Sequence, residues 1–340
     1  MKKLRFIAIL LWFGLLPSMC AQDKGVMEGR LINRTDPAIV ARNADLDVIG
    51  LGSGMSIIRT AVTDSAGKFR IDGLPENQEL VIRANYKGAN YHSQVNIGSS
   101  GKASVEIEVF ESTNSMKDVL VEGVQIAFQM EGDHLRVLES FVFNNKTKPP
   151  RTYVNPEGSF RISKPAGILE PPQIRATAAG SSRPLVQSAL ESADSQSYYS
   201  LYPLKPGVTT FEAQELLPYA NRSYTYKAKF YHDVDALRVG VTPRDLTVSG
   251  NGLSKIETSP EQNFAVYSNP PVKAGTEVVW TFSGGTPVSQ PESKEAGGEP
   301  TVQPMPNEVG RNALIVGPLL LLGFVLVLWY AFNRNKNGLS

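Results

Sequence analysis

The stretch Thr63-Asp-Ser-Ala-Gly-Lys-Phe-Arg-Ile-Asp-Gly-Leu-Pro75 has the pattern of a turn, a strand and a second turn. Acidic, hydroxyl and glycine residues at its start are typical of tight turns, and Gly67 can adopt a positive φ without strain. Phe69 and Ile71 then alternate with polar residues, as in a strand with one buried face. A glycine and a proline end the strand. The stretch therefore predicts β-structure with its strands joined by tight turns.

The same alternation extends on both sides of this stretch, across residues 24–112. About seven short strands with turn signals between them predict an antiparallel β-sandwich. Besides the strand that begins near Phe69, the predicted strands are Val26–Ile32, Asp45–Leu51, Ser56–Thr63, Leu80–Tyr86 and Val105–Val109.

Several of these motifs occur together in a known family. Gly29-Arg-Leu, the Thr63-Asp-Ser-x-Gly-x-Phe-x-Ile run, Gly73-Leu-Pro and the strand ending at Tyr86 resemble the carboxypeptidase regulatory-like domain. The resemblance covers about a quarter of the chain and implies a transthyretin-like (prealbumin-like) sandwich. In metallocarboxypeptidases this domain is an appended module without catalytic residues, so the resemblance implies no peptidase activity.

The zinc-binding His-x-x-Glu motif of the catalytic carboxypeptidase domain is absent from this chain. The residue three positions after each histidine is not glutamate. It is Val95 after His92, Val137 after His134 and Asp235 after His232.

Residues 118–283 form a second unit in which strand alternation recurs, with its weakest part at residues 177–197. Val124–Met130 and His134–Phe143 predict a hairpin around a Glu-Gly-Asp turn, and a final strand is expected at Val278–Phe282. Residues 184–193 are expected to form either one short helix or a loop. We expect a larger β-sandwich with about nine to eleven strands.

The second unit also carries a recognisable pattern. The run Glu131–Asn145, a later Leu204-Lys-Pro-Gly turn and Pro218-Tyr219 resemble an uncharacterised extracytoplasmic β domain of bacterial envelope proteins. That domain often follows a regulatory-like module and precedes a C-terminal membrane anchor. This resemblance implies no known chemical activity.

The two ends of the chain predict its placement. Residues 1–21 have a basic start, an apolar run and small residues near Ala21, as in a secretory signal peptide, with lipidation of Cys20 as the alternative. Twenty uncharged residues, 313–332, are long enough to span a bilayer as a helix. We predict a Pro/Gly/Ser/Glu-rich disordered stalk at 284–311, a transmembrane helix at 312–332 and a cytoplasmic tail at 333–340.

Composition excludes several classes of function. The net charge is +1, from 34 Lys and Arg against 33 Asp and Glu, so no basic excess favours nucleic acid. The single cysteine, Cys20, lies in the predicted signal peptide, so no disulfide is expected within the mature chain. Both domains must then be stabilised by their cores.

No catalytic or metal motif stands out. The run Gly50-Leu-Gly-Ser-Gly54 matches neither a nucleophile elbow nor a dinucleotide fingerprint, and is interpreted as a loop. His232-Asp-Val-Asp235 lacks the three or four convergent ligands of a metal site, and neighbours on a strand point to opposite faces. We expect no cofactor and no metal.

Tyrosines are enriched in the second unit, with seven between residues 198 and 231. Aromatic side chains bind sugars and protein partners when they are exposed. The strand alternation favours a buried position for Tyr224 and Tyr226. We therefore predict a binding surface at Tyr198, Tyr199 and Tyr202, with Tyr86 and Tyr91 as candidates on the first unit.

Together these features predict an all-β, single-pass protein of the bacterial cell membrane, with two antiparallel β-sandwiches in the periplasm or outside. The expected role is non-catalytic binding or scaffolding of envelope protein partners. The first alternative is carbohydrate binding, because the transthyretin-like module resembles starch-binding sandwiches. The second is a hydrolase with a dispersed site, for which a deep pocket at two of the histidines would be the indication.

Overall fold

The computed structural model describes residues 25–52, 54–181 and 183–286. The predicted all-β class is confirmed, since strands and turns but no helix occur in these ranges. Within them, no helix is long and apolar enough to cross a membrane. The predicted signal peptide, Cys20, the transmembrane helix, the tail and all but the first residues of the stalk lie outside the described ranges.

The described chain contains 23 strands. In chain order they are β1 Gly25–Asn33, β2 Asp45–Gly50, β3 Ser56–Val62, β4 Lys68–Leu74, β5 Glu79–Tyr86, β6 Ala89–Asn96, β7 Lys102–Val109, β8 Ser112–Thr113, β9 Val119–Glu131, β10 His134–Asn145, β11 Thr152–Tyr153, β12 Phe160–Ser163, β13 Gln173–Ala178, β14 Leu185–Gln187, β15 Leu190–Glu191, β16 Ser197–Ser200, β17 Gly207–Pro218, β18 Ser223–Lys229, β19 Leu237–Thr242, β20 Leu246–Gly250, β21 Ser254–Ile256, β22 Ala265–Asn269 and β23 Glu277–Gly284.

The strands belong to two compact units. The first comprises residues 25–114 together with Thr147–Val154, and the second comprises Ser115–Lys146 and residues 155–286. Thr147–Val154 belongs to the first unit because β11 pairs in parallel with β8. The boundaries predicted from the sequence, 24–112 and 118–283, do not anticipate this return, which depends on a two-residue pairing.

Two main sheets form the first unit, with strand orders β4-β1-β7 and β3-β2-β5-β6, and β11 and β8 add a small two-stranded sheet. Most neighbouring strands are antiparallel, but β1 and β7 pair in parallel. Residues from both sheets contribute to one hydrophobic core. The unit is therefore a β-sandwich, as the alternation of its strands predicts.

The stretch that begins at Thr63 folds as its sequence indicates. A carboxylate oxygen of Asp64 accepts hydrogen bonds from the backbone N–H groups of Ala66 and Lys68, each at 2.8 Å. Gly67 between them has a φ of 72°, which closes the turn. In the strand that follows, Phe69 and Ile71 are buried, whereas the polar residues between them are exposed.

The second unit is built on an eight-stranded sheet of order β14-β13-β17-β10-β9-β19-β22-β21. Two three-stranded sheets, β12-β16-β15 and β18-β23-β20, accompany it. The predicted β9–β10 hairpin is confirmed, with His134 opposite Glu131 across the turn. For residues 184–193 both predicted alternatives were wrong, because β14 and β15 form there and pair with β13 and β16.

Aromatic rings join the small sheets to one face of the large sheet. Phe160 on β12 lies 5.2 Å from Phe141 and stacks on Phe211 at 4.4 Å, measured between ring centroids. Phe128 on β9 contacts Tyr226 on β18 at 5.1 Å and Phe282 on β23 at 4.2 Å. Both small sheets therefore pack on the same face, because Glu139 on β10 contacts Tyr226 on β18, and Phe141, two residues further along β10, contacts Phe160 on β12.

Gly29 offers a test of the first core. A Cβ atom at this position would lie 2.2 Å from the Val105 carbonyl oxygen and 2.6 Å from the Phe69 ring. Gly29→Ala should therefore lower the free energy of unfolding of the first unit by about 1–3 kcal/mol through overpacking. Calorimetric unfolding of the full chain measures this.

Gly98→Ala is the matched control, since nothing lies within 4 Å of a Cβ there. Equal unfolding temperatures for the two variants would contradict the packing of Phe69 over Gly29.

Candidate functional site

The guanidinium group of an arginine lies over two tyrosine rings on the second unit. The guanidinium carbon of Arg161 is 5.4 Å from the ring centroid of Tyr199 and 5.5 Å from that of Tyr231. The ammonium of Lys229 lies 5.7 Å from the Tyr231 centroid. These are distances at which cation–π attraction operates. We call Arg161, Tyr199, Lys229 and Tyr231 the tyrosine–arginine clamp.

Strand pairing places two members of the clamp side by side. Arg161 on β12 is the register partner of Tyr199 on β16, so both side chains project from the same face. The guanidinium also donates a 2.8 Å hydrogen bond to the Glu157 carbonyl. Gly158 has a φ of 106° and lies under the Tyr199 ring, where a Cβ would be only 2.8 Å from a ring carbon. The backbone therefore fits closely around the tyrosine.

Of the other two members, Lys229 is the last residue of β18 and Tyr231 follows shortly after that strand. The buried Ser163 hydroxyl on β12 accepts a 2.6 Å hydrogen bond from the Lys229 N–H and donates a 3.1 Å bond to the Lys229 carbonyl. This pair of bonds fixes the end of β18 beside β12. Lys229 and Tyr231 are thereby held next to Arg161.

The clamp carries two cations and no paired anion. Among the described residues, no ion pair joins a carboxylate to Arg161 or Lys229, although Glu277 on β23 is the register partner of Lys229. Asp194 is in the vicinity, but its carboxylate accepts hydrogen bonds from the Ser192 hydroxyl at 2.6 Å and the Gln196 N–H at 3.1 Å. The Ser192 bond is the main cause that lowers the pKa of Asp194, with a smaller contribution from Arg161. The surface is therefore suited to an anionic group from outside.

A second unusual cluster lies inside the same unit. Glu139 on β10 and Glu215 on β17 are 3% and 2% exposed, on adjacent strands and on the core-facing side of the large sheet. The Tyr226 hydroxyl on β18 donates a 2.5 Å hydrogen bond to a Glu139 carboxyl oxygen. Neither carboxyl oxygen of Glu215 has a hydrogen-bond partner among the described residues. Two carboxyl groups thus share an apolar interior.

Burial makes both carboxyl groups weak acids. Loss of hydration raises the pKa of Glu139 to about 7, although the Tyr226 hydrogen bond opposes the shift. Burial, and then repulsion from Glu139, raise the pKa of Glu215 well above its usual range. The two carboxyl groups are not placed to act on a substrate, because both side chains are enclosed in the core.

The buried pair predicts a dependence of stability on pH. Above the ordinary carboxyl pKa the unfolded chain loses these protons, while the folded chain keeps them up to the raised pKa values. The free energy of unfolding of the second unit should therefore fall as pH rises from 5 to 8, by about 3 kcal/mol for a shift of this size. Glu215→Gln should raise the stability at pH 8 and flatten the profile.

Urea unfolding at each pH measures this, followed through Trp280 fluorescence in a chain whose other two tryptophans are changed to Phe. Glu212→Gln is the matched control, because Glu212 lies on the same strand with its side chain half-exposed on the opposite face. A flat profile for the wild-type chain would contradict the burial of the pair.

The structure buries both candidate tyrosines of the first unit. Tyr86 is 6% exposed and donates a 2.6 Å hydrogen bond to Glu111. Tyr91 is 4% exposed and its hydroxyl is 2.7 Å from the Thr152 hydroxyl. These two candidates therefore do not form an exposed aromatic surface, because their alternating positions on β5 and β6 face the core.

The three candidates of the second unit have different surroundings. Tyr198 is buried and its ring lies near the Lys164 ammonium, at 5.6 Å, whereas Tyr199 is half-buried in the clamp. Tyr202 is half-buried, and its ring packs edge-on against the core ring of Phe211 at 6.0 Å. The expected exposure of Tyr198 was wrong, because its strand position faces inward. The binding surface stays a prediction, now centred on Tyr199.

The sequence interpretation did not single out Arg161, Lys229 or Tyr231 as site residues. The alternation of β12 and β18 indicates that Arg161 and Lys229 face outward. The pairing of β12 with β16, which is distant in the chain, brings Tyr199 beside them and has no local signal. Glu139 did have one, because it interrupts the apolar face that contains Leu135, Val137, Phe141 and Phe143.

The histidines do not form a metal site in the described part of the chain. Within it, no group of three or more His, Cys, Asp or Glu side chains is arranged to hold a metal ion. His92 belongs to the first unit, and His134 and His232 belong to the second. Burial, and then the charge of Arg161, lower the pKa of His232 to about 4.

Comparisons with known proteins give no family for this chain. No protein-family model matches it, and no curated protein matches it. Among solved structures, the chain is similar to the M1 zinc metallopeptidase from Deinococcus radiodurans, with 10% sequence identity and a TM-score of 0.29. The similarity covers 50% of this chain and 43% of that chain, so less than half of the peptidase is spanned. A likeness this small supports no statement about activity.

Proposed function

We propose that this chain is a non-catalytic, membrane-anchored protein of the bacterial envelope that binds a partner through the tyrosine–arginine clamp. The observation that carries the proposal is the position of Arg161 between two tyrosine rings, with no carboxylate paired to it among the described residues. Scaffolding of an envelope complex is the role that fits such a surface.

The residue types of the clamp support binding. Arg and Tyr are enriched where single side chains dominate the energy of a protein interface. Arg161 is held by two rings and by the Glu157 carbonyl, so it has fewer rotamers to lose when a partner binds. The charges of Arg161 and Lys229 favour a partner that presents carboxylates or other anions.

The placement in the envelope is supported by the two ends of the sequence. The signal-peptide pattern of residues 1–21 and the apolar run 313–332 favour a single-pass protein with its bulk in the periplasm or outside and its C-terminus in the cytoplasm. The predicted partners are envelope proteins, and neither a cofactor nor nucleic acid is part of the proposal.

Carbohydrate binding is less well supported than protein binding. Sugars stack on open aromatic faces, but Tyr86 and Tyr91 are buried. In the clamp, cations lie over the rings of Tyr199 and Tyr231. A hydrolase is not favoured either, because no observation on the described residues joins two histidines in one cavity.

The clamp should determine which partner is retained. After cross-linking in membranes, the anchored chain is purified and the captured proteins are quantified by mass spectrometry. Arg161→Gln should reduce the specific partner by about five-fold or more, which corresponds to roughly 1 kcal/mol. Lys227→Gln is the matched control, since it removes an exposed lysine of β18 outside the clamp. The same captured set for Arg161→Gln as for wild type would contradict the role of the clamp.

The anchor can be tested separately. Deletion of residues 312–340 should release a soluble, folded protein, because the apolar run that holds the chain in the bilayer is removed. Fractionation and circular dichroism measure this. Retention of the truncated protein in the membrane fraction would instead indicate a lipid on Cys20 or an uncleaved N-terminal helix.

A further inference from the structure

Two buried carboxyl groups lie against the strand that supplies Lys229 to the clamp. Glu139 on β10 and Glu215 on β17 are almost fully buried on adjacent strands of the large sheet. The Tyr226 hydroxyl on β18 donates a hydrogen bond to Glu139, whereas neither carboxyl oxygen of Glu215 has a partner among the described residues. A negative charge on Glu215 would therefore be neither hydrated nor paired.

The groups that face this pair give its charges no compensation. On β18, Tyr226 and Tyr224 face the carboxyl groups, and burial, followed by the nearby glutamates, raises the pKa of both tyrosines, so they stay neutral near pH 7. Phe128 on β9 and Trp280 on β23 pack against the Tyr226 ring. In the part of the chain that the structure describes, no ion pair joins a lysine or arginine to either carboxyl group.

Strand β18 connects this interior pair to the clamp. Tyr226 and Lys229 are three residues apart on it, and the backbone N–H of Lys229 donates a hydrogen bond to the Ser163 hydroxyl on β12. Tyr231 follows β18 and holds its ring near the Arg161 guanidinium. Separation of β18 from the large sheet would therefore move Lys229 and Tyr231 away from Arg161.

We propose that the clamp is assembled only while the Glu139–Glu215 pair holds its protons, and that loss of these protons separates β18 from the large sheet and opens the clamp. A carboxylate in the apolar interior has lost its hydration, so ionisation favours the open arrangement, in which water reaches the group. Partner binding is then strongest at mildly acidic pH and weakens as pH rises. The inference rests on the binding role proposed for the clamp and adds its regulation by protons.

The pH range of the opening follows from the two carboxyl groups. In the open arrangement both lose their protons near the ordinary carboxyl pKa, whereas in the closed one burial raises the pKa of Glu139 to about 7 and that of Glu215 well above its usual range. The open fraction therefore rises from about pH 5.5 to about pH 8. His232 adds no dependence in this range, because burial, and then the charge of Arg161, lower its pKa to about 4.

Hydrogen exchange of the Lys229 amide tests the opening in the full chain in detergent micelles, without any ligand. Its protection factor, corrected for the intrinsic pH dependence of exchange, reports the separation of β18 from β12. The factor should fall about ten-fold or more between about pH 5.5 and pH 8, because one carboxyl group with a pKa raised to about 7 contributes a change of this size. The Leu31 amide, which is bonded to the Gly67 carbonyl in the first unit, is the internal control and should keep its protection.

Glutamine variants identify the groups that cause the opening. Glu139→Gln combined with Glu215→Gln keeps the size of both side chains and cannot ionise, so the protection of Lys229 should be the same at both pH values. Glu215→Gln alone should reduce the fall, and it gives the answer if the double variant does not fold. Glu212→Gln, on the opposite face of β17, is the matched control and should retain the full fall.

Two results would overturn the inference at this stage. One is a wild-type protection factor for Lys229 that is equal at the two pH values. The other is a fall as large as that of the wild type in the glutamine variants of Glu139 and Glu215. If Arg161-dependent capture of a partner persisted in either case, binding by the clamp would stand and only its control by protons would be rejected.

Affinity for a labelled poly-glutamate peptide connects the opening to binding. The peptide stays ionised over this pH range, so a change in affinity arises in the protein. The apparent affinity falls with the fraction of closed clamp. The Kd of the wild type should therefore rise several-fold from about pH 5.5 to pH 8 at constant salt, while that of the double glutamine variant stays constant.

The outcomes of this titration separate the two proposals. An Arg161-dependent affinity that stays constant while Lys229 loses protection would overturn the regulation. Absence of Arg161-dependent binding at either pH, with the loss of protection intact, would count against the proposed function and support the opening of the clamp by ionisation.

Discussion

The structure of the second unit depends on how two small sheets share one face of a large one. Phe160 packs on Phe141 and Phe211, and Tyr226 packs on Phe128, so β12 and β18 are brought side by side above β10. The Ser163 hydroxyl then bonds to both backbone groups of Lys229. The clamp lies at this junction, and its geometry is therefore a consequence of core packing.

The same packing carries a free-energy cost, because it buries two carboxyl groups in the interior. Two glutamates occupy positions of the core-facing side of the large sheet that alternation assigns to apolar residues. Protonation lessens the free-energy cost of burying Glu139 and Glu215 because it removes their charge. The stability of the packing of β18 on β10 and β17 therefore depends on pH. Tyr226, which contacts Glu139, and Lys229, which belongs to the clamp, are three residues apart on the same strand. The interior pair and the surface clamp thus share a structural element.

Alternation along single strands was enough to predict the β class, the strand around Phe69 and the β9–β10 hairpin. These features depend on local periodicity and turn residues, which are visible in the sequence. The pairing of β11 with β8, the strands at residues 185–191 and the meeting of Arg161 with Tyr199 depend on contacts between distant segments. Tyrosine content alone did not separate Tyr199, in the clamp, from Tyr86 and Tyr91, in the core, because an exposed and a buried strand face carry the same residue type.

The central claim is that Arg161 is held between two rings and remains available to an anion. Nuclear magnetic resonance of the full chain labelled at arginine tests it most directly, with a short poly-glutamate peptide as the probe. Stacking predicts upfield ring-current shifts for the Arg161 side-chain protons, and a further change of the Arg161 signals on addition of the peptide that is reversed by salt. Unshifted Arg161 signals that do not respond to the peptide would contradict the account.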